Sequence, residues 1–243
     1  MRKWLWVALL ASIWVAYPWF VIVEDIDGRV VDEAGQPIEG VLVTAKWREN
    51  YRMSLAATDR ITFINAMESV TDADGRYHFP GFFYVYPLLR RMQKGEPMVD
   101  FYKEGLRTNS FKLSWLRRTH PKKKGSFKPA IIRGSQWNDI SVELVEIDTD
   151  YHQRDAKATL WWFVTEALRY DNCLWANIPN AIAATFDHRN PNKYPAAYID
   201  GDEVYFLSKI KFVIIQNPKS MQQCGVDLSY FEVFKEWNIK IAQ

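Results

Sequence analysis

Thr71-Asp72-Ala73-Asp74-Gly75-Arg76-Tyr77-His78-Phe79-Pro80 joins two opposite signals. The first half is a turn: short Asp side chains can bond nearby backbone amides, and Gly75 accepts a left-handed backbone at no steric cost. The second half alternates, with Tyr77 and Phe79 on one face of a strand and His78 on the other. Working outward, Ile61 to Thr71 is a strand candidate leading into the turn. Further upstream, Val41, Val43, Ala45 and Trp47 share one face, while Leu42, Thr44 and Lys46 share the opposite one. Val21 to Val31 is rich in Val and Ile and ends in a turn, Asp32-Glu33-Ala34-Gly35-Gln36-Pro37. Downstream, Met98 to Lys103 and Ile140 to Ile147 complete the strand set. Short strands with turn signals at this spacing predict an antiparallel β-sandwich over residues 21–148.

Three segments give this region a family resemblance. Gly28-Arg29-Val30-Val31-Asp32 with Gly35, Pro37-Ile38 and Gly40-Val41-Leu42-Val43 resembles the opening of a carboxypeptidase regulatory-like domain. Thr71 to Pro80 resembles that family's second signature, and Val99-Asp100-Phe101-Tyr102-Lys103-Glu104-Gly105 its third. The resemblance covers about residues 24–147 and implies a transthyretin-like, seven-stranded sandwich. It also implies a scaffold or binding module and not a catalytic one, because the peptidase zinc ligands of such enzymes lie in a separate domain. Leu106 stands where the family commonly has Tyr, and the segments Arg48 to Arg60 and Leu106 to Asp139 are long for it.

The N-terminus sets the expected compartment. Arg2 and Lys3 precede an apolar run from Trp4 to Val23, broken at Pro18. The pattern predicts a signal or membrane helix over 1–20, either a cleaved export signal or an uncleaved anchor. Neither Ala11, with Leu9 two residues before it, nor Ala16, with Trp14, makes a small-residue cleavage pair. The expected location is therefore the periplasm, free or anchored in the inner membrane facing it. The expected partners are the inner membrane, through the N-terminal segment, and an envelope protein.

Residues 149–243 carry mostly helical signals, so the chain as a whole reads as α+β. Leu160, Val164, Ala167 and Leu168 share a face within Ala156 to Tyr170, with Trp161 beside it and Asp155 near the first turn. Pro179 to Phe186 is a second, short helix with Pro in its first turn. Tyr198 to Phe206 reads as a hairpin around Asp200-Gly201, and Leu228 to Ile239 as a final helix. Cys173 and Cys224 are expected to form a disulfide, which an oxidising compartment permits.

The chemistry is sparse. The 31 Lys+Arg against 29 Asp+Glu give a net charge of +2, which excludes a nucleic-acid binder driven by charge. Two cysteines and four scattered histidines, His78, His120, His152 and His188, show no zinc-ligand spacing. Asp72-Asp74-Gly75 lacks the fifth and twelfth ligands of a calcium loop and reads as a turn, as does Asp200-Gly201-Asp202-Glu203. No nucleotide motif or nucleophile elbow occurs, and neither Ser208 nor Ser229 has a partner pattern. No cofactor is expected. The candidate interaction surface is a basic stretch with interleaved aromatics: Trp115, Arg117, Arg118, Lys122, Lys123 and Lys124, flanked by Lys112, Phe127 and Lys128. Trp161-Trp162-Phe163 is a core segment or an exposed anchor. The expected function is a non-catalytic envelope scaffold. A carbohydrate or small-ligand binder, resting on the 15% aromatic content, and a hydrolase in the C-terminal region are the alternatives.

Overall fold

The computed structural model describes residues 20–51, 61–85, 90–92, 97–108, 132–147, 150–169, 173–185 and 223–226. Strands β1 (Phe20–Val23), β2 (Ile26–Val31), β3 (Leu42–Tyr51), β4 (Ile61–Val70), β5 (Arg76–Phe79), β6 (Phe82–Val85), β7 (Arg90–Met92), β8 (Met98–Tyr102), β9 (Leu106–Thr108), β10 (Ile132–Arg133) and β11 (Ile140–Glu146) precede helix α1 (Asp150–Arg169). A single 3-10 turn (Leu174–Asn177) and helix α2 (Pro179–Thr185) follow. One sheet has the order β5-β2-β11-β9, with β2 and β11 parallel and both edge pairs antiparallel. A second has β4-β3, with β8 and β7 pairing successive lengths of the other edge of β3. A smaller sheet has the order β10-β1-β6.

The two larger sheets face each other across one core. Val30, Tyr77, Phe79, Val142 and Leu144 come from the first, and Val43, Ala45, Trp47, Val99 and Phe101 from the second. Aromatic rings fill much of it: Trp47 meets Phe79 and Phe82 edge-on, and Tyr77 meets Phe101 the same way. Trp137 is buried at one end, where its indole N–H donates to the Pro97 carbonyl at 3.2 Å.

The turn at Asp72 forms as expected. Asp72 Oδ1 accepts from the amides of Asp74 and Arg76, and the Asp72 carbonyl accepts from Gly75 at 2.8 Å. Gly75 has φ +71°, and a Cβ there would lie 2.4 Å from the Val30 carbonyl oxygen. The amide of Val30 donates to the Gly75 carbonyl at 2.7 Å, so the turn is stitched to β2.

A second core lies on the outer face of the β4-β3-β8 sheet. Leu42, Phe63 and Ala66 meet Leu160, Phe163, Val164, Ala167 and Leu168 of α1, with Leu174, Trp175, Ile178 and Ala181 to Ala184 beyond them. The pairing of β3 with β4 skips Ile64, since Trp47 faces Asn65 and Arg48 faces Phe63. That bulge brings Phe63 onto the same side as Ala66 despite their odd spacing. Cys173 and Cys224 are bonded, 51 residues apart, as expected, and Cys224 packs against this second core.

Five expectations are corrected. The sandwich is not wholly antiparallel, because β11 joins β2 in parallel at the centre of its sheet. The membrane helix over 1–20 is not supported: no helix among the described residues is long and apolar enough to cross a membrane. Residues 1–19 lie outside the described residues, but Phe20–Val23, the end of the apolar run, is a strand paired with β6 and β10, with Val21 and Val23 in the sandwich core. The run left ahead of it falls short of the roughly 20 residues that a span requires. Inner-membrane anchoring, as location and as partner, falls with that helix. Val21 to Val31 is two strands in different sheets, because the chain bends at Glu24-Asp25, where Asp25 Oδ1 accepts from the Gly81 amide. The strand beginning at Leu42 runs on to Tyr51 and so enters the expected loop. Helix α1 starts at Asp150, which moves Asp155 out of the first turn. The expected hairpin at 198–206 and helix at 228–239 lie outside the described residues.

Gly75→Ala should cost about 2–3 kcal/mol, from the left-handed backbone and the carbonyl contact together. Gly35→Ala, at φ +79° with nothing within 4 Å, should cost less than half as much. Urea unfolding midpoints of the two variants make the comparison. Cys173→Ser should lose about 4 kcal/mol, the loop-closure value for a bridge of this length.

Candidate functional site

Two regions combine unusual chemistry with ordered geometry. The first is the boundary between the β4-β3-β8 sheet and the helices. The face carrying Leu42, Thr44 and Lys46 has the polar alternation of a solvent-facing strand, yet α1 and α2 cover it. Lys46 is only 5% exposed. Its Nζ lies 3.7 Å from Asp100 Oδ2 and 5.8 and 5.5 Å from the centroids of the Phe63 and Phe163 rings. Burial pushes the Lys46 ammonium below its ordinary pKa, Asp100 and Glu166 pull it back up, and Arg48 adds to the depression. The aromatic faces and Asp100 together replace the water that the charge has lost.

Farther along the same face, Glu68 stands opposite Thr44 in the β3–β4 register. Glu68 Oε1 accepts from the backbone N–H and side-chain Nδ2 of Asn180 at 2.7 and 2.8 Å, and Oε2 accepts from the Ala181 amide at 2.6 Å. A strand carboxylate thus caps α2, satisfying two of the amides that a helix start leaves without intrahelical partners. Burial raises the Glu68 pKa to about 7, against the downward pull of those three donors.

The second region is an apolar strip on the outer face of the small sheet. Phe20 pairs with Val85 and Ile22 with Phe83. All four are exposed, Phe83 at 60% and Val85 at 55%, and the rings of Phe20 and Phe83 lie 5.4 Å apart. The alternate residues Val21 and Val23 are buried, so this is the regular outward face of a strand pair. Neither Phe20–Val23 nor Phe82–Val85 carries a charge to interrupt it.

The sequence-predicted surface Trp115, Arg117, Arg118, Lys122, Lys123 and Lys124 lies outside the described residues, as do His120, His188, Asp200, Asp202, Glu203, Ser208 and Ser229. Among the described residues no three His, Cys, Asp or Glu come close enough to hold a metal ion. His78 Nδ1 sits 2.9 Å from Asp27 Oδ1 in an exposed cross-strand pair. Of Trp161-Trp162-Phe163, Phe163 is core, Trp161 packs against the core, and Trp162 is 53% exposed. Neither the apolar strip nor the Glu68 cap was foreseen. The strip was hidden because Phe20 to Val23 merged with the apolar leader, and Glu68 because its partners lie 112 and 113 residues away. No family model matches the chain, and no curated protein matches it.

Lys46→Ala should destabilise the protein by about 2–4 kcal/mol, since it removes the ammonium that lies against Asp100 and its cation–π contacts with Phe63 and Phe163. Lys46→Met should recover part of that loss by refilling the volume between Phe63 and Phe163. Chemical denaturation of the two variants tests the order.

Proposed function

We propose that the chain is a non-catalytic scaffold that binds a partner protein through the β1–β6 strip. The single observation behind this reading is the strip itself. Phe20, Ile22, Phe83 and Val85 form a continuous apolar face in a regular sheet, and contiguous apolar surface on a folded domain marks interaction sites. The partner that fits is a protein segment with its own apolar face and no charge at its centre, because the strip offers no charge to pair with.

The carboxypeptidase regulatory-like resemblance agrees with such a role. Its three segments fall on β2 with the following turn and the start of β3, on the turn into β5 with β5 itself, and on β8 with the turn into β9. Strands β2, β3, β4, β5, β8, β9 and β11 divide into two sheets around a shared core, which supports a seven-stranded sandwich of that kind. The carbohydrate alternative loses most of its platform among the described residues: Trp47, Trp137, Trp175, Phe63, Phe79, Phe163 and Tyr77 are all buried.

A photoreactive phenylalanine analogue at position 83 should give one dominant protein adduct, and the same analogue at exposed Trp162 should not. Phe83→Ser should weaken the captured complex about 10- to 100-fold, the range for removing one buried aromatic anchor. Equal labelling at the two positions would refute the assignment of this face.

A further inference from the structure

The outer face of the β5-β2-β11-β9 sheet carries a cross-strand pair that costs stability as it stands. Arg29 on β2 lies directly opposite Arg76 on β5, and two residues along the same strands Asp27 lies opposite His78. The amide of Val30 donates to the Gly75 carbonyl, so bonded and non-bonded pairs alternate from there, and both of these side-chain pairs are non-hydrogen-bonded. The amides of Arg76 and His78 agree, since they point away from β2, to Asp72 Oδ1 and Ser69 Oγ. Side chains come closest in pairs of this kind. Asp27 and His78 use that closeness for a contact of 2.9 Å. Arg29 and Arg76 place two positive charges there, which disfavours the pairing.

We propose that Arg29, Arg76 and Ser141 form an oxyanion site that takes a phosphate group, free or esterified. The site goes beyond the contact role of the β1–β6 strip, which belongs to another sheet.

Three observations build it. Ser141 on β11 stands beside Arg29 in the parallel register, so two guanidinium groups and a hydroxyl form one row across three strands. All three residues are exposed, on the face opposite to Val30, Tyr77 and Val142 in the core. The row is also held in place. The Arg29 Nε donates to the Asp74 carbonyl at 2.9 Å, which leaves both terminal nitrogens for another acceptor, and the Asp72 turn fixes the backbone of Arg76. Finally, among the described residues neither guanidinium has a carboxylate within ion-pair distance. The acids close in sequence are engaged elsewhere: Asp27 holds His78, and Asp72 Oδ1 accepts from the amides of its own turn.

The donor set selects the ligand. The planar fork of an arginine matches the oxygens of an oxyanion bidentately. Two forks and a hydroxyl suit three acceptor oxygens, and two positive charges balance a dianion. A phosphate monoester supplies both. A carboxylate has two oxygens and one charge, so it leaves the arginine pair half compensated. Binding a dianion removes the repulsion between Arg29 and Arg76 and therefore stabilises the sheet.

Thermal unfolding of the full chain in inorganic phosphate, against chloride at equal ionic strength, tests the site. Phosphate at about ten times its dissociation constant should raise the melting temperature of the wild-type chain by roughly 3–5 °C more than that of Arg76→Gln. The general salting effect of phosphate acts on both proteins, so the difference belongs to the site. In chloride, Arg76→Gln should melt no lower than the wild type, because it relieves the repulsion. In NMR spectra the Nε–H signals of Arg29 and Arg76 should move with added phosphate and saturate. Followed this way, Arg76→Gln should weaken phosphate binding about 10- to 100-fold and Ser141→Ala about 2- to 10-fold. Arg29→Lys keeps the charge, loses the fork and should bind more weakly than the wild type. Lys103→Ala removes a cation outside the row and should leave the affinity unchanged. Glycerol phosphate distinguishes the sources: binding tighter than inorganic phosphate assigns an esterified group, and weaker binding assigns the free ion. Equal phosphate gains in the wild type and Arg76→Gln, an equal loss of affinity in Lys103→Ala, or acetate binding as tightly as both phosphates would each overturn the proposal.

Discussion

Strand β3 is buried on both sides, and the architecture follows from that constraint. Val41, Val43, Ala45 and Trp47 close the sandwich below it, and Leu42, Thr44 and Lys46 lie beneath helices above it. A strand in a two-layer sandwich ordinarily keeps one face wet, and its sequence alternates to match. Here the alternation is present, but a third layer has been laid over the polar face. The charges on that face must then be satisfied by protein groups: Lys46 by Asp100 and two aromatic rings, Glu68 by the first amides of α2. Apolar burial around them supplies the attachment, and the polar contacts fix where each helix sits.

The two faces of the molecule offer different chemistry. The β1–β6 strip is apolar, uncharged and uncovered among the described residues, the profile of a contact surface. The sheet–helix boundary is charged and enclosed, with Lys46 against Asp100 and Glu68 against the first amides of α2.

Legibility in the sequence tracked how local each signal was. The turn at Asp72 to Gly75 and the alternation of Tyr77 and Phe79 involve neighbours, and both appear as read. Leu160, Val164, Ala167 and Leu168 form one buried stripe because helical periodicity is also local. The disulfide between Cys173 and Cys224 was accessible through residue type and the absence of other cysteines. The apolar run ending at Val23 carried two readings, the end of an N-terminal helix and the start of the first strand; hydropathy does not choose between them, and the pairing with β6 does. Burial of Lys46 was invisible, because a lysine on the polar face of a strand gives no hint of a helix placed over it later in the chain.

The parallel contact of β2 with β11 has a consequence for how the molecule comes into being. Asp27 bonds Asn138 across 111 residues, and the registry beside it joins Gly28 to Ile140. A chain emerging from the ribosome has made β2 long before its neighbour exists, so the centre of that sheet stays open during most of synthesis. Loop closure over such a distance is slow. Until β11 arrives, the vacant edge of β2 is a point where a nascent chain can pair wrongly, and a chaperone that shields extended segments would have its main work there.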